Sequence, residues 1–356
     1  MLTDVFFRRY EKRQLFSAVG PKERALFVQA YRLINEQIWK YYGYDRKVDE
    51  TVKATWKGVH DRLSMEIGVK ELSPVWYSYT VDWMGKPHTY SASYEWNTVV
   101  ESWLNLNFAD NLDADMFVKR RLSFIELAFR EREHQLAVIN AMLPYTLQSA
   151  ALQDANPRRG LTVPGANPKT HVERAQEQNK FLNDTFALQV HELNTRFEQA
   201  GMPLHYHNGF IQITQDALMQ ALVEQPFWDL VKDPRWKNVD IDMKEAIDRR
   251  DTGGRDPSFY AAKALESTIK VISDEKGWTR GTETGVGGYL NNLTSKANGS
   301  FIAPWEHESM QRFFSDVRND LGHGPGSAQM PVFTDEQISF SIEFCMSWVK
   351  SLITRL

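Results

Sequence analysis

Apolar residues recur at helical spacing through most of the chain. Leu26, Ala30, Leu33, Ile34 and Ile38 share one face of a helix predicted from about Pro21 to Tyr41. Phe117, Leu122, Ile125, Phe129, Leu136 and Ile139 mark a second, from about Ala114 to Met142. A third should run from about Thr170 to Ala200 on Phe181, Leu182, Phe186, Val190, Leu193 and Phe197, and stop at Gly201-Met202-Pro203. The periodicity changes in two places. Val75–Val81 and Tyr90–Tyr94 are rich in strand-favouring residues and flank Met84-Gly85-Lys86-Pro87, which suggests a hairpin. Asn208-Gly209 between Leu204-His205-Tyr206 and Phe210–Ile213 is the strongest short-range hairpin signal in the chain.

The last hundred residues read as a bundle of four amphipathic helices. Asp256-Pro257 should cap and open the first, whose stripe is Phe259, Ala262, Leu265, Ile269 and Ile272. A shorter segment carries Tyr289, Leu290 and Leu293. The third, entered at Pro304, carries Trp305, Met310, Phe313, Phe314, Val317 and Leu321 and is stopped by Gly322, Gly324, Pro325 and Gly326. Thr334-Asp335-Glu336-Gln337 is a capping box that starts the fourth, continued by Ile338, Ile342, Cys345, Val349 and Leu352.

These patterns predict a mainly α protein: an α-rich N-terminal regulatory or sensor domain over residues 1–150, a connector over 151–169 rich in turn residues, a small helix–hairpin–helix element with α/β character over 170–250, and a bundle over 251–356. The 356 residues, 42% of them hydrophobic, suffice for two or three such cores. No run of eighteen apolar residues occurs, and the first residues are charged almost at once. Neither a membrane span nor a signal peptide is expected, which points to the cytoplasm and to no membrane partner. The single cysteine, Cys345, excludes an intrachain disulfide and a Cys-based zinc site and reads as a core residue.

Net charge is −4, and residues 256–356 hold nine Lys/Arg against twelve Asp/Glu. Nonspecific coating of nucleic acid, which depends on neutralising phosphates, is therefore not the expected role. Local basic clusters at Lys119-Arg120-Arg121, Arg158-Arg159 and Arg249-Arg250 could still guide a strand, although a solvated helix face is the commoner role of such clusters.

The densest candidate chemistry is Arg318-Asn319-Asp320-Leu321-Gly322-His323 at the end of the third bundle helix. Arg offers a planar fork of donors that matches phosphate oxygens, and His titrates nearest neutrality. RNA carries its own nucleophile, the 2′-hydroxyl. Cleavage needs a base for its proton, an acid for the leaving 5′-oxygen and a cation on the phosphorane-like transition state, and no metal or other cofactor is required. One histidine does not readily serve as base and acid at once, so a two-fold dimer presenting two copies of the motif is expected. The alternative is structural: Arg318 paired with Asp316 or Asp320, and His323 capping carbonyls. Glu266, on the first bundle helix, is expected to pair with an Arg near the motif or to hold the helices in register.

Arg-Asn-x-x-x-His, preceded by the helix Ala261-Ala262-Lys263-Ala264-Leu265-Glu266-Ser267-Thr268-Ile269-Lys270, resembles the HEPN superfamily, specifically the C-terminal domain of bacterial abortive-infection proteins. The remaining chain, with Phe7-Arg8-Arg9-Tyr10 near its start, resembles the companion region of AbiJ-type proteins. The resemblance implies a metal-independent endoribonuclease toxin of antiphage abortive infection, with Arg318 and His323 catalytic and Asn319 orienting the motif or touching the RNA. It also implies RNA as substrate, tRNA among the candidates, a homodimer through the C-terminal bundle, and a phage-derived trigger or inhibitory partner at the N-terminal region. A non-catalytic nucleotide- or RNA-binding module, or an adaptor of a defence complex, is the competing expectation.

Overall fold

The computed structural model describes residues 5–43, 45–109, 111–155, 169–319 and 332–356. It is mainly helical with two two-stranded sheets, and it divides into two compact units, one ending at Ile211 and the other spanning Gln212–Leu356.

The first unit contains α1 (Phe6–Arg9), α2 (Pro21–Arg32) with a π turn over Leu33–Ile38, α3 (Glu50–Ile67), the hairpin β1 (Trp76–Trp83) and β2 (Lys86–Ser93), α4 (Trp96–Leu104), α5 (Ala114–Ala155) and α6 (His171–Ala200). A second hairpin, β3 (Leu204–His207) and β4 (Phe210–Ile213), lies at the division between the units. In both hairpins the two turn residues have positive φ: Met84 and Gly85 at 54° and 77°, Asn208 and Gly209 at 43° and 85°. That backbone matches the twist of the strands it joins. The sequence therefore predicts both hairpins at their turns, although β1 and β2 run longer than the apolar segments suggested.

Buried ions organise this unit. Glu126 on α5 is fully buried and accepts hydrogen bonds from the Phe6 and Ile211 backbone N–H, from both terminal nitrogens of Arg9 and from Arg130. Arg9 and Arg130 also donate to the carbonyls of Ile211 and Gly209, which ties α1, α5 and the second hairpin together. Lys119 donates to the carbonyls of Tyr10 and Arg13 and pairs with Asp115, while Arg121 caps the α4 carbonyls of Trp103 and Leu104. Burial beside Arg120 pushes the Arg121 pKa down to about 9, still well above neutrality. Lys119 and Arg121 are thus internal struts, neither a guide for nucleic acid nor a solvated face. Arg249 and Arg250 are likewise engaged, with Glu245 and with the buried Asp251. Arg158-Arg159 lie outside the described residues.

Three boundaries differ from those expected. α5 continues past Met142, through Pro144, to Ala155, because its distal half packs along α6 and tertiary contact outweighs the lost backbone bond. For the same reason α6 belongs with α5 and not with a middle element. α9 (Lys237–Thr252), placed by sequence in that middle element, packs against α10 (Pro257–Glu275). The compact units consequently meet at residues 211/212, not at 151–169 or 250/251.

The second unit also contains α7 (Ala217–Met219), a π turn Gln220–Glu224, α8 (Gln225–Val231), α11 (Gly285–Thr294), α12 (Pro304–Phe313) with a π turn Phe314–Asn319, and α13 (Asp335–Ile353). Trp236, Met243, Leu265, Ile269, Leu290, Met310, Ile342 and Val349 are among its core residues. Cys345 is fully buried there, and burial drives its thiol pKa well up, so the thiolate is not accessible as a nucleophile. The expected capping box forms at Thr334 with Gln337, and a second one, not foreseen from the sequence, opens α6 in the first unit at Thr170 with Glu173. Asp256, by contrast, sits in the left-handed region (φ 56°), makes no side-chain cap and pairs with Arg255 instead; Pro257 still opens α10.

Candidate functional site

α10 and the π turn after α12 bring the candidate residues together. Glu266 is almost buried, its side chain 8% exposed, in the middle of α10. Its Oε2 lies 3.1 Å from Nη2 of Arg318, and its Oε1 lies 2.8 Å from Nζ of Lys270 one turn further along the same helix. Three residues before Glu266 on α10, Lys263 bonds Asp242 of α9 at 2.9 Å. Burial raises the Asp242 carboxyl pKa, Lys263 opposes that, and the negative charges of Glu245 and Glu266 add to it.

Lys263, Lys270 and Arg318 therefore form a cationic seam held from beneath by Asp242 and Glu266. The cations remain 50%, 42% and 31% exposed. Holding guanidinium and ammonium groups on carboxylates fixes their direction before any ligand arrives, which is the arrangement that stabilises charge developing on a phosphate. The wider π turn, Phe314–Asn319, carries Arg318 and ends at Asn319. Such insertions re-aim side chains and concentrate at functional positions.

Arg318 thus meets Glu266, one of the two roles expected for that carboxylate, whereas Asp316 pairs with Arg312. Of the expected site residues, Asn319 is placed by its backbone alone, and His323 lies outside the described residues. The cations that sequence reasoning passed over are Lys263 and Lys270. Their signal was present: with Glu266 they fall at i, i+3 and i+7 on one helix face.

The glycine-rich stretch before α11 carries a further acidic group. Glu283 accepts from the Arg280 N–H and from Asn292, and these hydrogen bonds lower its pKa to about 2.

A second titratable cluster surrounds Glu224 at the end of the π turn before α8. Burial pushes its carboxyl pKa up to about 7, Arg250 opposes, and Asp251, Glu343 and Asp216 add to the rise. Between the ordinary carboxyl value and that raised one, the folded chain keeps a proton that the unfolded chain has lost. Stability from this group is therefore full below about pH 4.5 and falls as pH rises to about 7. Glu224→Gln is expected to be neutral at pH 4.5 and stabilising by up to about 3 kcal/mol at pH 8. Urea unfolding at the two pH values checks this, and an equal effect at both would remove the explanation.

Among the described residues no helix is long and apolar enough to cross a membrane. A family model described as AbiJ N-terminal domain 4 matches residues 4–229, from before α1 into α8. No curated protein and no solved structure matches the chain.

Proposed function

We propose that this chain, which belongs to the AbiJ N-terminal domain 4 family, works in abortive infection as a metal-independent endoribonuclease whose cutting site lies in the C-terminal bundle. Membership itself makes the chain AbiJ-like and suggests a defence role. The nuclease reading is supported above all by Arg318 held on the nearly buried Glu266 beside Lys270, a preset cationic site next to the only Arg-Asn-x-x-x-His stretch in the chain.

In this reading His323 accepts the 2′-hydroxyl proton as the 2′-oxygen attacks phosphorus, and Arg318 stabilises the charge gathering on the non-bridging oxygens. His323 of the partner subunit gives a proton to the departing 5′-oxygen. The bond between phosphorus and the 5′-oxygen breaks, leaving a 2′,3′-cyclic phosphate and a 5′-hydroxyl. Asn319 contacts the RNA or orients the motif, and Glu266 sets the direction of the guanidinium. Two copies meet through the C-terminal bundle, and the first unit is the seat of a phage-derived trigger or inhibitory contact.

Total cellular RNA and isolated tRNA, incubated with wild type and His323→Ala in excess EDTA, test the proposal. Discrete cuts by wild type alone, with cyclic-phosphate ends and a loss of roughly 10²–10⁴-fold in the variant, are expected. Equal cutting by both proteins would remove His323 from the mechanism. The pairing of Arg318 with Glu266 also suits a module that binds nucleotide or RNA without turnover, or an adaptor of a defence complex. RNA affinity with no product at any enzyme concentration would favour that reading.

A further inference from the structure

The distal half of α5 has two apolar seams on opposite faces, and α6 covers only one. Leu136, Asn140, Leu143, Leu147 and Ala150 alternate at three- and four-residue spacing along the side toward α6, where Asn140 bonds Asn179 and Asn183. Val138, Met142, Tyr145, Ser149 and Leu152 repeat the same heptad spacing two positions later, about 200° around the helix. This second stripe is exposed: Val138, Met142, Tyr145 and Leu152 are 51–67% accessible, and Ser149 is exposed as well.

Residues 135–153 carry no Asp, Glu, Lys, Arg or His. A surface helix normally places charge on the face away from its core, and one that is apolar on both sides is covered on both. An interfacial membrane helix would carry Lys or Arg beside its apolar face, and this one has neither. Heptad spacing specifies another helix as the cover.

We propose that the cover is α5 of a second copy of this chain, packed antiparallel about a two-fold axis at Tyr145. The stripe is self-complementary in that register. Val138 faces Leu152 of the partner subunit, Met142 faces the small Ser149 of the partner subunit, and Tyr145 meets its own copy, so large side chains meet small ones at the two flanking layers. The absence of charge means that no like-charge contact opposes self-pairing. An open groove of about 460 Å³ runs beside the stripe, lined by Tyr145, Ser149, Ala150 and Gln153 of α5 and by His171 and Ala175 of α6. Its small side chains leave a hole where a knob from a facing helix fits.

This contact lies in the first unit and is separate from the dimer proposed for the C-terminal bundle, so disulfide trapping in the full chain isolates it from RNA cleavage. Tyr145→Cys should form a disulfide-linked dimer under mild oxidation, while wild type, whose Cys345 is buried, should not. Val138→Cys and Leu152→Cys should stay unlinked, because each lies roughly 21 Å from its own copy in this register. The double variant Val138→Cys/Leu152→Cys should link between chains, and adding Met142→Glu to Tyr145→Cys should abolish its dimer. An unlinked Tyr145→Cys would overturn the proposal, as would equal linking at 138, 145 and 152 or a dimer indifferent to Met142→Glu.

Discussion

Arg318→Ala is expected to slow RNA cleavage by roughly 10²–10³-fold with little change in the thermal midpoint of the protein. The small cost to the fold follows from the geometry. Glu266 keeps Lys270 at 2.8 Å when the guanidinium is removed, so its nearly buried carboxylate is not orphaned. The large cost to activity follows from the chemistry, since charge accumulates on phosphate oxygens only as the 2′-oxygen attacks, and a positioned cation acts most strongly at that moment. Arg318→Lys retains the charge but loses the planar two-pronged donor and should fall between wild type and Ala. Glu266→Gln should also be intermediate, because it keeps the cations and releases their alignment. Single-turnover rates on one defined RNA, with circular dichroism as the control for folding, measure all three. Wild-type cleavage by Arg318→Ala would sink the assignment.

The elements at this site were legible in the sequence where local chemistry fixes them. Pro304 and the Thr334 box start helices because they satisfy, or never present, the first orphan N–H groups, and these signals need no knowledge of the fold. The sequence leaves Glu266 two roles, to meet an Arg near the motif or to hold the helices in register. Its partner is Arg318, which the π turn carries across to α10. The turn itself was not legible, since it falls at the end of the apolar stripe, where few positions remain to show a shift of phase.

Long-range placement was the least legible. Lys119-Arg120-Arg121 looks like a surface cluster in one dimension, yet Lys119 and Arg121 are internal, where the carbonyls of Tyr10 and Arg13 converge on the one and those of Trp103 and Leu104 on the other. Nothing local to residues 119–121 encodes that convergence. The same limit applies to α6, which follows a stretch of turn residues and still packs back on α5. It applies as well to α9, whose apolar positions fit either a separate element or the bundle.

The heaviest loss of stability expected from a single substitution in the first unit is at Glu126, in a residue far from the proposed chemistry. Its carboxylate gathers donors from Phe6, Arg9, Arg130 and Ile211, and so holds the N-terminal segment, α5 and the second hairpin to one another. Glu126→Gln keeps the shape but removes the charge that balances Arg9, whose side chain is only 7% exposed. Breaking a buried pair from one side leaves the other charge uncompensated, and a cost of about 3–5 kcal/mol is expected. The exposed pair Lys180–Asp184 supplies the contrast: both partners are mostly in water, so Asp184→Asn should cost at most about 0.5 kcal/mol. Urea unfolding of the full chain, followed by tryptophan fluorescence, compares them. A Glu126→Gln midpoint no lower than that of Asp184→Asn would show that the buried ions fill space without anchoring the unit. A large drop would identify Phe7-Arg8-Arg9-Tyr10 as an architectural segment, with Arg9 as its anchor. Residue-level resemblance in the N-terminal region would then reflect the demands of a charged core, and the search for a trigger-binding surface would move to exposed positions.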